Sequence, residues 1–278
     1  MNAIAFAPAH VTGFFEICRT SSPETTGSRG AGLCLSLGAT ASVERSDHTE
    51  VMVNGRPGGE VTATALRLLT PEPLRAHVTL DLPVSQGLGM SAAGTLASTL
   101  AAASLLWLPR KRAVAAAHVA EVRCSTGLGD VLAAARGGIE VRLSPGLTGE
   151  IIGVPGGGEV VVAVVGPPLP TVQVVTDDRQ GQHISRVGRR CVEDMLRRPT
   201  LDNLFFLSRR FAEETGLLQP AVGAAVEAAA EHSRVSMCML GNAVFAMGDT
   251  PALQEALAGH GDVYTCRVAQ RGARLIGH

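Results

Sequence analysis

The segment Pro83-Val84-Ser85-Gln86-Gly87-Leu88-Gly89-Met90-Ser91-Ala92-Ala93 constrains this chain more than any other. Before it, residues 77–82 alternate apolar and polar side chains, as a half-buried strand does. After it, the chain from Ser91 onward reads as one long helix of small and apolar residues. A strand, a glycine loop and a helix in that order bring several backbone N–H groups to one point, and the positive end of the helix dipole adds to them. Ala92, Ala93 and Gly94 keep the first helical turn free of bulk, so the expectation is a phosphate site. A bare Gly-x-Gly would be read as a tight turn, but the longer pattern is far more specific. The chain has no GxxxxGK[ST] for a P-loop, and no GxGxxG with a matching acidic residue for a dinucleotide fold.

Length and composition bound the rest. The 278 residues suffice for two domains sharing a cleft, and 46% of them are apolar, enough for a sizeable core. Aromatics make up only 3%, so that core is packed with Ala, Val and Leu. The formal net charge of −1, with both signs interspersed, argues against a nucleic-acid partner. Lys111 is the single lysine, so a phosphate clamp must use Arg, backbone N–H groups or a metal. The six cysteines are scattered, without a CxxC pair or zinc spacing, which points to a reduced, cytoplasmic setting. Residues 92–108 are uncharged but short for a bilayer and rich in Ala, Ser and Thr, so they are expected to be a buried helix. The first residues lack the basic stretch of a secretory leader.

Along the chain, residues 4–6 read as a strand that breaks at Pro8, and residues 20–32 as a polar, turn-rich run. Strands are expected at 33–37, 51–53 and 139–143, with helices at 112–123 and 129–136. The Gly153-Val154-Pro155-Gly156-Gly157-Gly158 segment is the candidate junction, dividing residues 1–155 from 156–278. Beyond it come a strand at 159–165, helices at 184–196, 201–214 and 221–231, strands at 235–239 and 243–247, a last helix and two short strands. The elements mix without a regular βαβ rhythm, so the expected class is α+β.

Two carboxylates stand out. Asp130, in Thr126-Gly127-Leu128-Gly129-Asp130, is presented by glycines at a helix start. It is either an exposed general base or an ordinary N-cap. Glu121, nine residues earlier, is either a solvated helix glutamate or a metal ligand.

At the 83–93 loop the chain resembles the GHMP kinases, whose second motif reads Pro-x-x-x-Gly-Leu-Gly-Ser-Ser-Ala-Ala; only Met90 departs from it. The resemblance implies an N-terminal half like ribosomal protein S5 domain 2 and a ferredoxin-like C-terminal half. It implies that Pro83, Gly87, Leu88, Gly89, Met90, Ser91, Ala92 and Ala93 hold ATP, that Ser91 and Glu121 hold Mg²⁺, and that Asp130 is the catalytic base. The segments around residues 7–15, 27–32, 118–121, 126–131 and 239–245 are similar to those of the archaeal pantoate kinases within that family. This implies phosphorylation of the primary hydroxyl of pantoate to 4-phosphopantoate, for coenzyme A synthesis. On that reading Arg142 or Arg29 takes the substrate carboxylate, and Ser28 and His118 bond its other polar groups. Each also has a plainer reading, as surface charge, turn residue or packed helix histidine. One motif is degenerate: where many members carry a Thr-Gly-Ala-Gly-Gly type, this chain has Leu240-Gly241-Asn242-Ala243. Alternatives are a kinase of homoserine, shikimate or a mevalonate derivative, an inactive nucleotide-binding regulator and, more remotely, a decarboxylase of the diphosphomevalonate type. A homodimer is expected for a metabolic enzyme of this size.

Overall fold

The computed structural model describes residues 2–169 and 178–277. The first lobe is a mixed sheet of β1 (Asn2–Cys18), β2 (Gly27–Arg45), β3 (Glu50–Val53), β4 (Arg56–Pro57), β5 (Leu74–Leu80), β6 (Ile139–Arg142) and β7 (Ile151–Val154). Its helices are α1 (Glu60–Leu69), α2 (Met90–Leu105), α3 (Arg110–Arg123) and α4 (Asp130–Arg136). The second lobe contains β8 (Glu159–Val164), α5 (Asp178–Arg197), α6 (Leu201–Thr215), α7 (Pro220–Ala230), β9 (Ser233–Met237), β10 (Ala243–Gly248), α8 (Thr250–Ala258) and β11 (Asp262–Arg267). A last strand, β12 (Arg274–Gly277), leaves the second lobe and pairs antiparallel with β1 in the first.

The class is α+β, as expected. The second sheet runs β11-β8-β10-β9 and is wholly antiparallel, with helices between β8 and β9 and between β10 and β11. That strand order is the ferredoxin-like arrangement. In the first sheet β2 is shared along its length: its first half pairs with β6 and its second half with β5.

The low aromatic content shows in the packing. Helix α2 lies across β1 and β2 and is buried along almost its whole length, Ala93, Ala97 and Ala101 completely. Under it Ala3, Ala5, Ala7 and Ala9 of β1 and Ala39 and Ala41 of β2 are equally buried. Small side chains on both surfaces let helix and sheet approach closely, so dispersion over many short contacts replaces a few large rings. Among the described residues no helix is long and apolar enough to cross a membrane. The rings that do exist concentrate toward the second lobe. Phe15, near the end of β1, packs 5.4 Å from Phe211 of α6, and Phe205 lies 4.8 Å from Phe245.

Three expectations are corrected. The first strand does not stop at Pro8: β1 runs through it, with a register shift between Pro8 and Ala9 that absorbs the missing N–H. Residues 27–32 are strand rather than turn, and their glycines serve close contacts described below. Helix α1, amphipathic through Thr62, Ala65, Leu66 and Leu69, has no counterpart in the sequence reading.

The lobes meet where the C-terminal part of β1 packs on α5 and α6. Gly188 of α5 sits on the β1 backbone so closely that a Cβ there would lie 1.9 Å from the Phe15 carbonyl oxygen. Glu16, buried, accepts from Arg29 of β2 at 2.8 Å and from Arg189 of α5 at 2.9 Å, tying both lobes to one carboxylate. Gly188→Ala should therefore lower the unfolding free energy by about 1–3 kcal/mol through overpacking, read as a fall in the urea midpoint at unchanged slope.

Candidate active site

A cleft of about 420 Å³ opens between the 83–91 loop, the start of α1, β5 and the 239–240 turn of the second lobe. The loop forms one wall. Gly87 and Gly89 have φ of +74° and +62°, which glycine adopts without strain. Neither has room for a side chain, since a Cβ would lie 2.7 Å from the Cys238 carbonyl oxygen or 2.9 Å from that of His10. Helix α2 begins at Met90, after Gly89, with no side-chain cap, a state it shares with α1, α3, α4 and α7; what sets it apart is that its start lines the cleft. The first amides of α2 thus have no side-chain partner where the helix meets the cleft. Gly87, Leu88, Gly89, Met90, Ser91 and Ala92 line the cleft; Pro83 stands before it and Ala93 is buried beneath the helix start.

The expected carboxylates reach the same cleft. Glu121, at the end of α3, is buried and accepts a hydrogen bond from Ser91 Oγ at 2.6 Å. Burial without a neighbouring cation pushes its carboxyl up to about 7, against the opposing effect of the Ser91 and Thr126 hydroxyls. Asp130 is the first residue of α4, and Gly129 holds the cap position. A Cβ on Gly127 would lie 2.8 Å from Glu121 Oε2 and 3.3 Å from Asp130 Oδ2, so this glycine lets both acids converge.

Two residues given no role from sequence complete the centre. His10 of β1, wholly buried, places Nδ1 2.7 Å from Asp130 Oδ1 and Nε2 3.0 Å from Glu140 Oε1. Both partners are acceptors when ionised, so both ring nitrogens donate and His10 is an imidazolium. Burial alone would lower its pKa, but the two carboxylates outweigh burial and raise it above the ordinary 6.5. Burial would raise Asp130, yet the His10 hydrogen bond and charge, with Arg142, hold it below the ordinary 3.8. Glu140 also accepts from Arg142 Nη1 at 2.5 Å. Negative and positive groups therefore alternate from Asp130 through His10 and Glu140 to Arg142. The sequence did carry a signal for this pair of residues. A histidine interrupts a run of small apolar strand residues, and Glu140 and Arg142 put opposite charges on one face of a strand.

Glycines clear the space for this chain of charges. A Cβ on Gly32 would lie 2.6 Å from His10 Nε2, one on Gly30 3.0 Å from an Arg142 terminal nitrogen, and one on Gly129 2.5 Å from Ser28 Oγ and 2.7 Å from Arg142 Nε. Of the four substrate candidates, Ser28 and Arg142 are thus brought together beside Gly129 and Asp130. The other two are engaged elsewhere. Arg29 is held by Glu16 and the Leu143 carbonyl, and His118 Nε2 donates to the Thr26 carbonyl at 3.0 Å, under the turn before β2.

Comparison with known proteins agrees with this geometry. Residues 60–138 match the GHMP kinases N terminal domain. The chain is 31% identical over 259 residues to the pantoate kinase of Methanocaldococcus jannaschii, covering 91% of this chain and 95% of the relative. It is 36% identical over 264 residues to that of Thermococcus kodakarensis, covering 87% and 86%. A solved structure described as a phosphotransferase related to the CoA biosynthesis pathway superposes with a TM-score of 0.90 at 28% identity, over 100% of this chain and 99% of the other.

Fold and cleft together define a small-molecule kinase of the GHMP type. Within that class, the chain belongs to the pantoate kinase family.

The His10 pair has a definite pH signature. With a folded pKa raised above 6.5, His10 contributes stability that is fully present below pH 6.5 and lost as pH rises through the folded value. Asp130, depressed, contributes stability present above about pH 3.8 and lost as pH falls through its lower folded value. In an NMR titration the His10 imidazole should remain protonated beyond pH 6.5, and Asp130→Asn should move its titration to lower pH.

Proposed function

We propose that the protein transfers the γ-phosphoryl group of ATP to the primary hydroxyl of pantoate, giving ADP and 4-phosphopantoate on the route to coenzyme A. The observation that carries this reading is the convergence of the uncapped start of α2 with Asp130 at one cleft, in a chain of this family. Phosphoryl transfer needs little covalent help from the protein and depends on alignment and charge neutralisation.

The loop amides between Gly87 and Ala92 hold the phosphates. Ser91 and Glu121 suit Mg²⁺: a buried carboxylate bonded to a hydroxyl at the edge of the cleft is a pair of hard oxygen donors. Among the described residues no cluster of three or more His, Cys, Asp or Glu could hold a metal by itself. That fits an ion whose other ligands are phosphate oxygens and water. When bound, the ion offsets the charge on the transferring phosphates.

Asp130 receives the hydroxyl proton as the new O–P bond forms and the bond from phosphorus to the ADP oxygen breaks. Held below the ordinary carboxylate value by His10, it is a weak base. A loose transition state tolerates this, because the alcohol needs its proton removed only late. His10 keeps the Asp130 carboxylate ionised and aimed. For the substrate carboxylate we assign Arg142 with Ser28. Arg142 is 1% exposed, and among the described residues its buried Nε has no hydrogen-bond partner, an N–H that a ligand oxygen would satisfy. His118 acts at one remove, steadying the Thr26 turn that leads into Ser28. On this reading residues 1–155 form the catalytic half and 156–278 the ferredoxin-like half, with the last strand lent back to the first.

The first test is ADP release from purified protein with ATP and Mg²⁺, comparing pantoate with homoserine, shikimate and mevalonate. Release should depend on pantoate; stimulation by another acceptor instead would reassign the substrate. Asp130→Asn should abolish turnover while retaining nucleotide binding, and normal turnover in that variant would remove Asp130 from its role. His10→Gln, which loses the cation but keeps one donor, should lower kcat by roughly 10- to 100-fold, the worth of a hydrogen bond to a charged group. In the unaltered enzyme activity should fall as pH rises through the His10 pKa.

A further inference from the structure

The degenerate third motif, Leu240-Gly241-Asn242, is absorbed neither by the phosphate site nor by the proton-transfer centre. It lies between β9 and β10 and packs directly on the back of the nucleotide loop. Gly241 approaches so closely that a Cβ there would lie 1.9 Å from the Gln86 carbonyl carbon. Gly87 returns the contact against the Cys238 and Met239 carbonyls.

The side chain of Gln86 joins these surfaces. It is 2% exposed, although its neighbours Val84 and Ser85 are open to solvent. Its Nε2 donates to the Gly166 carbonyl at 3.0 Å, and its Oε1 accepts from the Asn242 amide at 3.3 Å. Asn242 extends the connection, donating from Nδ2 to the Pro167 carbonyl at 2.8 Å, while the Leu169 amide donates to the Ser85 carbonyl at 2.8 Å. Every one of these partners of the loop belongs to the second lobe.

The loop requires such support. Ser85, Gly87 and Gly89 all have positive φ, and for Ser85 that conformation is strained. A segment alternating in this way forms no helix or ladder of its own. From the first lobe, among the described residues, it receives a backbone bond from the His10 N–H to the Leu88 carbonyl at 3.2 Å.

We propose that Gln86, with Asn242, is a positioning residue through which the second lobe presets the nucleotide loop, so that nucleotide affinity is controlled from outside the nucleotide cleft. Gln86 touches neither substrate. It removes the ordering cost that the loop would otherwise meet when it closes on phosphate. By linkage, nucleotide bound to the loop must tighten the docking of the second lobe by the same factor. The inference rests on the loop being the nucleotide site.

The test is calorimetric titration of the full-length protein and its variants with Mg-ADP, alongside KM for pantoate at saturating ATP and the thermal midpoint with and without ADP. Gln86→Ala should weaken ADP about tenfold, the worth of one or two neutral hydrogen bonds. It should leave KM for pantoate within about twofold and shrink the rise in midpoint that ADP produces. Gln86→Glu, which still accepts from Asn242 but cannot donate to Gly166, should fall between. Asn242→Ala, which frees only the Pro167 contact, should weaken ADP by about threefold with the same selectivity. Those two variants carry the test if Gln86→Ala does not fold. Unchanged ADP affinity in the variants, or parallel losses for both substrates with a lower ligand-free midpoint, would overturn the proposal. Failure of the unaltered protein to bind Mg-ADP would overturn the nucleotide reading itself, and this inference with it.

Discussion

The centre of this molecule depends on one buried imidazolium held between two carboxylates. His10 bonds Asp130 through one nitrogen and Glu140 through the other, and Arg142 completes the alternation of charge. Each member is tolerable in the interior only because its neighbours are present; removal of one partner from such a set typically costs about 3–5 kcal/mol. Much local structure follows from this. β1 must carry His10 beneath α4, β6 must lie beside the first half of β2 to deliver Glu140 and Arg142, and the facing positions must be glycine. Gly30 and Gly32 have no room for side chains of their own: the β1 backbone lies closest to both, with Arg142 and His10 next to them.

The start of α2 follows a different rule. There the fold leaves backbone open instead of engaging it: α2 begins from Gly89 without a side-chain cap, and its first turn carries little bulk. The alanine-on-alanine packing of α2 against the sheet serves the same end. A helix seated along its whole length presents its open amides from a fixed position, whereas one anchored by a few large rings would leave that end freer to move.

What could be read from the sequence, and what could not, divides along physical lines. The 83–93 loop and the Gly127–Asp130 turn were legible because glycine spacing encodes backbone shape locally. Glu121 followed from its distance to Asp130 and from the family pattern. His10 and Glu140 were missed because their meaning is non-local: they lie 130 residues apart in sequence, and pairing of β1, β2 and β6 brings them to 3.0 Å. Arg29 looked like a substrate arginine because nothing nearby reveals that Glu16, across the hairpin, already holds it. Pro8 was read as a stop because proline usually ends a ladder, but a bulge opposite Gly38 lets the strand continue. Helix α1 escaped notice because half its buried face is Thr62 and Ala65, which carry weak hydrophobic contrast.

The return of β12 to the first sheet has a topological consequence. Ile4 pairs with Gly277, so the two ends of the chain lie side by side on neighbouring strands. The second lobe is thus an insertion within the first, entered through residues 155–158 and left through residues 268–273. A lobe hung on one linker can swivel about any axis. This one is joined by two, and Glu16, bonded to Arg29 and Arg189, adds a third tie that holds its orientation over the cleft.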